Sequence, residues 1–98
     1  MKFLLLTIPS HIHIGTFELN LDNRQWTFSY SQDFIQNGRS RLSGFPDVNK
    51  TYGHEVCVSW LTSRIGNTEN GIKGLRLAEV ISVKGLDNKE FLELHSVQ

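Results

Sequence analysis

The run Gln25-Trp26-Thr27-Phe28-Ser29-Tyr30-Ser31 decides the fold class, because aromatic and small polar side chains alternate through it without a break. A strand places successive side chains on opposite faces, so Trp26, Phe28 and Tyr30 share one face and Thr27 and Ser29 the other. This is the pattern of a half-buried strand in a small antiparallel sheet. Towards the N-terminus, Asp22-Asn23 is a turn pair whose side chains tolerate positive φ, and it joins this strand to one over Ile12 to Asn20. There Ile12 and Ile14 fall on one parity and Phe17, Leu19 and Leu21 on the other, which predicts a β-bulge at Gly15-Thr16. Lys2 to Ile8 is a continuous apolar run of strand length, expected to be a central strand covered on both faces. Its charged start resembles a secretory leader, but the run stops at Pro9, short of the ~7–15 apolar residues such a leader uses, and no small-residue cleavage site follows. Three strands joined by short turns make a meander.

Towards the C-terminus, Ser31 reads as the N-cap of a one- or two-turn helix through Asn37, with Asp33 in the first turn, Phe34 and Ile35 inward and Gly38 as the stop. Arg39 to Asn49 is turn chemistry around an extended Leu42-Ser43-Gly44-Phe45-Pro46-Asp47. His54 to Ile65 fits two periods. Val56, Val58 and Trp60 alternate, whereas Val56, Cys57, Trp60, Leu61, Arg64 and Ile65 follow helical spacing up to Gly66. Twelve residues with only Val58 out of place favour the helix. Asn67 to Gly74 is a polar loop. A closing hairpin then runs from Leu75 to Lys84 and from Lys89 to Val97 around Gly85-Leu86-Asp87-Asn88, although Leu77, Val80 and Ile81 also suit a helix. The expected architecture is α+β: a small antiparallel sheet or partial barrel with one short and one longer helix.

Composition limits the function classes. Ninety-eight residues support one core, so residues 1–98 are read as a single domain with little room for an enclosed active site. Ten Lys and Arg against ten Asp and Glu give zero formal net charge, which disfavours nucleic acid or an anionic membrane as main partner. One cysteine, Cys57, rules out an internal disulfide and suits the reducing cytoplasm. No stretch reaches the ~18–20 apolar residues of a membrane span. The chain has no Walker-type or G-x-G-x-x-G phosphate loop and no H-R-D or D-F-G element, so no phosphoryl-transfer machinery is expected and the chain is read as no enzyme.

Four side-chain groups are candidates for chemistry. Cys57 with His54, three residues before it, is the one local nucleophile–base pair, read instead as a small hydrophobe beside a helix start. His11 and His13 with His54 and Cys57 make an acceptable tetrahedral zinc set, but the pairs lie over forty residues apart, and solvated turn histidines are the preferred reading. The Trp26, Phe28 and Tyr30 face could stack bases in a small single-stranded nucleic-acid-binding module. Only Arg24 flanks it, so a core face is preferred. Trp60, beside Arg64 at the end of a helix, has the composition of an interface anchor.

Gly15-Thr16-Phe17, Phe28-Ser29-Tyr30, Leu42-Ser43-Gly44-Phe45-Pro46-Asp47 and Trp60-Leu61-Thr62-Ser63-Arg64-Ile65 follow one another in an order with a known counterpart. Over roughly residues 12–66 the chain resembles the N-terminal subdomain of HipA-type serine/threonine kinase toxins. In that family a Gly-x-apolar strand, an F-x-Y strand, a short helix, an L-x-G-F-P-D-like turn and an aromatic-bearing helix succeed one another. The chain is too short to hold the kinase itself, which is the arrangement of the freestanding small proteins of three-component HipBST toxin–antitoxin modules. The resemblance implies an antitoxin that binds and neutralises a partner kinase, HipT, alongside the DNA-binding protein HipB, using no cofactor or metal. It implies docking where the fused subdomain sits in HipA-type kinases. Trp60 is the expected inserting side chain, with Ser63 and Arg64 beside it and Phe45-Pro46-Asp47 as a second contact. On that expectation Trp60→Ala weakens binding by about 2–4 kcal/mol and leaves thermal stability nearly unchanged.

Overall fold

The computed structural model describes residues 1–36, 41–65, 69–70, 75–82 and 89–97. Six strands form one sheet: β1 (Lys2–Ile8), β2 (His13–Asn20), β3 (Gln25–Tyr30), β4 (Glu69–Asn70), β5 (Leu75–Ile81) and β6 (Glu90–Val97). Two helices, α1 (Gln32–Gln36) and α2 (His54–Ile65), lie between β3 and β4 in the chain. Every pairing is antiparallel and the spatial order is β3-β2-β1-β6-β5-β4, an α+β fold whose sheet does not close into a barrel. Among the described residues no helix is long and apolar enough to cross a membrane.

The two halves of the sheet meet at β1 and β6, so the chain must pass from one sheet edge to the other between β3 and β4. Six strands at ~4.8 Å spacing set that crossing at ~24 Å, and a twelve-residue helix covers ~18 Å of it. Accordingly α2 packs against both β3 and β5, and α1 packs against β2. The helical layer lies on one face only. Leu5, Phe17, Phe28, Leu77 and Leu92 point into it from the sheet, and Phe45, Tyr52, Cys57, Trp60 and Leu61 meet them from above, all buried.

The expected central strand is central, and among the described residues the helices cover one of its faces. Its inward side chains Leu5 and Thr7 are fully buried, while Leu4, Leu6 and Ile8 are half-buried. On that second face Leu6 pairs with Glu93, whose buried carboxylate accepts hydrogen bonds from Arg76 Nε and Nη2 at 3.1 and 3.0 Å. The remaining oxygen of Glu93 meets His95 Nε2 at 3.0 Å. A carboxylate is tolerated there because both oxygens have partners.

The bulge read from the change of parity is present. Leu5 pairs with Gly15 but Leu6 pairs with His13, so Ile14 is the extra residue of β2 and turns inward beside Phe17. Ser31 caps α1 as expected: its Oγ accepts from Phe34 N–H at 3.2 Å and its carbonyl from Ile35 N–H at 3.1 Å. Gly38, Gly66 and the Gly85–Asn88 loop lie outside the described residues. Three expectations are corrected. In the β2–β3 turn the positive φ falls on Arg24 (57°), because Asn20 and Asn23 use their side chains to hold the backbone of Asp22 and Gln25. Leu42 to Phe45 is not extended; Phe45 N–H donates to Leu42 carbonyl at 3.1 Å across a tight turn that needs φ +95° at Gly44. Within the expected polar loop, Glu69–Asn70 pairs with Leu75 and Arg76 as a short edge strand.

Gly15 is required by space. A Cβ there lies 2.5 Å from Ser29 carbonyl and 2.6 Å from Phe28 Cζ. Gly15→Ala is expected to cost about 1–3 kcal/mol, the range of an overpacked core, read as a lower urea midpoint at unchanged slope.

Candidate functional site

The residues singled out from the sequence lie on two segments, Phe45–Asp47 and Trp60–Arg64, and the fold brings these together through the Trp60 indole. Trp60 sits on the buried stripe of α2 with Cys57 and Leu61, at helical spacing, and is 4% exposed. Its ring lies 5.5 Å from that of Phe17 and 5.3 Å from that of Phe45, measured between centroids. Its Nε1–H donates to the Ser43 carbonyl at 2.8 Å, tying the tight turn to the helix. A Cβ on Gly44 lies 2.9 Å from Trp60 Cδ1, so the indole edge occupies the space a side chain needs.

Trp60 is thus a core strut, which corrects the expectation that it projects and inserts into a partner. A side chain that joins sheet, turn and helix cannot leave without opening the core. Phe45 is likewise fully buried, stacked on Phe28 at 4.5 Å. Pro46, Asp47 and Ser63 stay exposed, and Arg64 is partly so. Asp47 shapes its own loop: its carboxylate accepts from Asn49 N–H at 2.9 Å, and its N–H donates to Tyr52 Oη at 2.7 Å. Arg64 folds back over Trp60, with Cζ 4.1 Å from the ring centroid and Nη1 donating to Trp60 carbonyl at 3.0 Å and Ser63 Oγ at 2.9 Å.

Two shallow grooves flank α2. One, about 410 Å³, has Trp60 as its floor and Ser43, Ser59, Ser63, Glu55 and Arg64 around it. The other, about 440 Å³, is more apolar and lies between Trp26 and the helix residues Val58, Leu61, Thr62 and Ile65. Val56, Val58 and Ile65 are 42%, 36% and 41% exposed, so Val56 and Ile65 leave the buried stripe on which helical spacing placed them. A helix flanked by the sheet on one side buries only the residues nearest Trp60, and the sequence signal for the rest was the misfit of Val58. Gly44, Ser43 and Ser59 were not singled out for the site; the L-x-G-F-P spacing around Gly44 was the available clue.

The other groups weighed from the sequence do not assemble. His54 Nδ1 accepts the Trp26 backbone N–H at 3.1 Å, which fastens the start of α2 to the sheet edge. Cys57 Sγ faces the Tyr52 carbonyl at 3.7 Å, and burial pushes the thiol up to about 11. The pair is not arranged as a nucleophile and base. Among the described residues no three His, Cys, Asp or Glu side chains gather as metal ligands. Phe28 and Tyr30 are buried, so the aromatic face of β3 is turned into the core. No protein-family model, curated protein or solved structure matches the chain.

Two outcomes follow. Trp60→Ala is expected to lower stability by about 3–5 kcal/mol, as for other buried aromatics, and Trp60→Phe, which loses the Ser43 hydrogen bond and part of the ring's packing, by about 1–3 kcal/mol; urea unfolding measures both. Burial also pushes Tyr30 up to about 12, offset in part by the Leu42 N–H it accepts. Both Tyr30 and Cys57 keep their protons to higher pH when folded. Their contribution is complete below the ordinary thiol value of 9.0 and is lost as pH rises towards about 11 and then about 12. Urea midpoints falling between those limits, less steeply in Tyr30→Phe, are the expected result.

Proposed function

We propose that the chain is a HipS-type antitoxin, which neutralises a HipA-type serine/threonine kinase (HipT) by contact in the cytoplasm and meets the DNA-binding protein HipB through that kinase. On this reading the chain has no catalytic residue, cofactor or metal of its own. The observation that carries it is the convergence of the resemblance's two most specific elements. The L-S-G-F-P-D turn and the W-L-T-S-R-I helix end are clamped into one surface by Trp60 and Phe45.

The clamp makes docking rigid. Ser43, Gly44, Pro46 and Asp47 on the turn, with Ser63 and Arg64 on α2, present a surface whose backbone geometry is fixed before binding. Preorganisation of this kind lowers the ordering cost that association must overcome. The exposed Val56, Val58 and Ile65 add apolar contact along the same helix. Inhibition then comes from preferring one arrangement of the kinase lobes: a ligand that binds an unproductive arrangement more tightly shifts the population towards it. Trp60 acts here as the support under the surface and not as the group inserted.

Co-expression with a HipA-type kinase, scored for growth and co-purification, tests the reading. Rescue with a stable complex is expected. Ser63→Arg and Val58→Glu, both exposed positions, are expected to weaken the complex by about tenfold or more at unchanged melting temperature, equivalent to ~1.4 kcal/mol each. A folded protein that neither rescues growth nor binds sinks the proposal.

A further inference from the structure

We infer that the sheet face turned away from the helices is an interface between two copies of this chain, which pack sheet on sheet through Leu4, Leu6, Ile8, Val80, Phe91 and Val97. The strand register places these side chains together. Ile8 stands opposite Phe91 and Phe91 opposite Val80, so one apolar row crosses β1, β6 and β5. Leu6 and Leu4 continue it along β1 at every second position, and Val97 ends β6 on the same face. Val80, Phe91 and Val97 are 41%, 45% and 44% exposed, and Leu4, Leu6 and Ile8 are half-buried. A strand with one wet face carries polar side chains on it, as β3 does with Thr27 and Ser29. β1 instead turns three aliphatic side chains to this face, the composition of a strand covered on both sides, while among the described residues the helices cover the other side.

The polar groups on this face decide what covers it. Lys2 stands opposite Glu18 in the register, and Glu93 is held by Arg76 and His95. The Arg76 guanidinium also lies 4.7 Å above the Phe91 ring. The charges of Lys2, Glu18, Arg76 and Glu93 thus cancel within the face, so a second copy meets no net repulsion and covers no carboxylate that lacks a partner. Such a face selects neither an acidic nor a basic partner. It is compatible with itself, in a chain whose formal net charge of zero favours self-association. Its extent agrees: four strands at ~4.8 Å spacing and seven residues at ~3.4 Å rise span a plane of roughly 450 Å². Set against the ~800 Å² that each partner gives to a standard interface, this supports a reversible dimer of micromolar or weaker affinity. Two sheets packed in this way stand ~10 Å apart and interdigitate their apolar side chains. The pairing leaves α2 of each copy on the outside, so it stands apart from the antitoxin reading, and one dimer presents two docking surfaces.

Sedimentation equilibrium of the full chain alone, from micromolar to millimolar concentration, reads the stoichiometry, and methyl NMR over the same range reads the face. A monomer–dimer equilibrium is expected, with the signals of Leu4, Leu6, Ile8 and Val80 moving with concentration while those of Val56 and Val58 stay. Val80→Lys, at an exposed position, adds like charge to both sides of the interface and should raise the dissociation constant about tenfold or more at unchanged melting temperature. The wild-type signals decide the face should that variant fail to fold. A chain that stays monomeric at millimolar concentration overturns the inference, as does a dimer whose moving signals lie on α2. A face covered only when a kinase or another protein is added belongs to that partner, and that result also overturns the second copy. Failure to rescue growth or to bind a kinase bears on the antitoxin reading alone.

Discussion

The indole of Trp60 joins three parts of the chain: sheet, turn and helix. It packs on Phe17 of the sheet and Phe45 of the turn, donates to the Ser43 carbonyl, and carries the Arg64 guanidinium on its outer side. A helix twelve residues long has too little buried surface to dock on a sheet by periodicity alone; α2 buries only Cys57, Trp60 and Leu61. A large ring with one polar edge solves this, since it fills the gap between layers and also anchors the tight turn to the helix. Gly44 is the complementary half of the same device, because the indole edge lies where its side chain belongs.

A second constraint comes from Tyr30 and Tyr52, which hold the chain on either side of that turn. Tyr30 Oη donates to the Phe45 carbonyl and accepts from Leu42 N–H, closing the base of the turn from below. Tyr52 makes a two-way backbone bridge with Phe28 and accepts from Asp47 N–H with its hydroxyl. The same bridge, with His54 on Trp26 N–H, covers part of the outer edge of β3, so the Phe28 N–H and carbonyl and the Trp26 N–H are satisfied within this chain. The stretch over residues 42–52 is thus held for a specific reason: tyrosine hydroxyls and backbone groups of known partners fix it.

The sheet was legible where one face is wet and the other dry. Trp26, Phe28 and Tyr30 alternate because β3 has that environment along its length, and the parity change around Gly15 reports the extra residue Ile14 directly. Sequence failed where burial depends on the other layer. Helical spacing grouped Val56 and Ile65 with Trp60, yet only the middle of α2 faces the sheet, and their exposure is a property of the crossing path rather than of the helix. Trp60 beside Arg64 has the same composition whether the ring points out or in. What distinguishes the two is the Ser43 carbonyl seventeen residues away, a long-range partner no local pattern contains. The two segments of the candidate surface were both found, but their adjacency, and the roles of Ser43 and Gly44 in it, appear only in three dimensions.

The neighbouring positions of β1 and β6 bear on how the chain is made. During synthesis β1 finds one of its two partners at once in β2, but its other edge is completed only when Glu90–Val97 has left the ribosome. Until then Leu4, Leu5 and Leu6 stand at an open edge, and the pairing that closes it is among the longest-range contacts the sequence allows. Nascent chains of this protein therefore depend on β6 for protection, and ribosomal pausing before β6 lengthens the interval in which they can associate with one another.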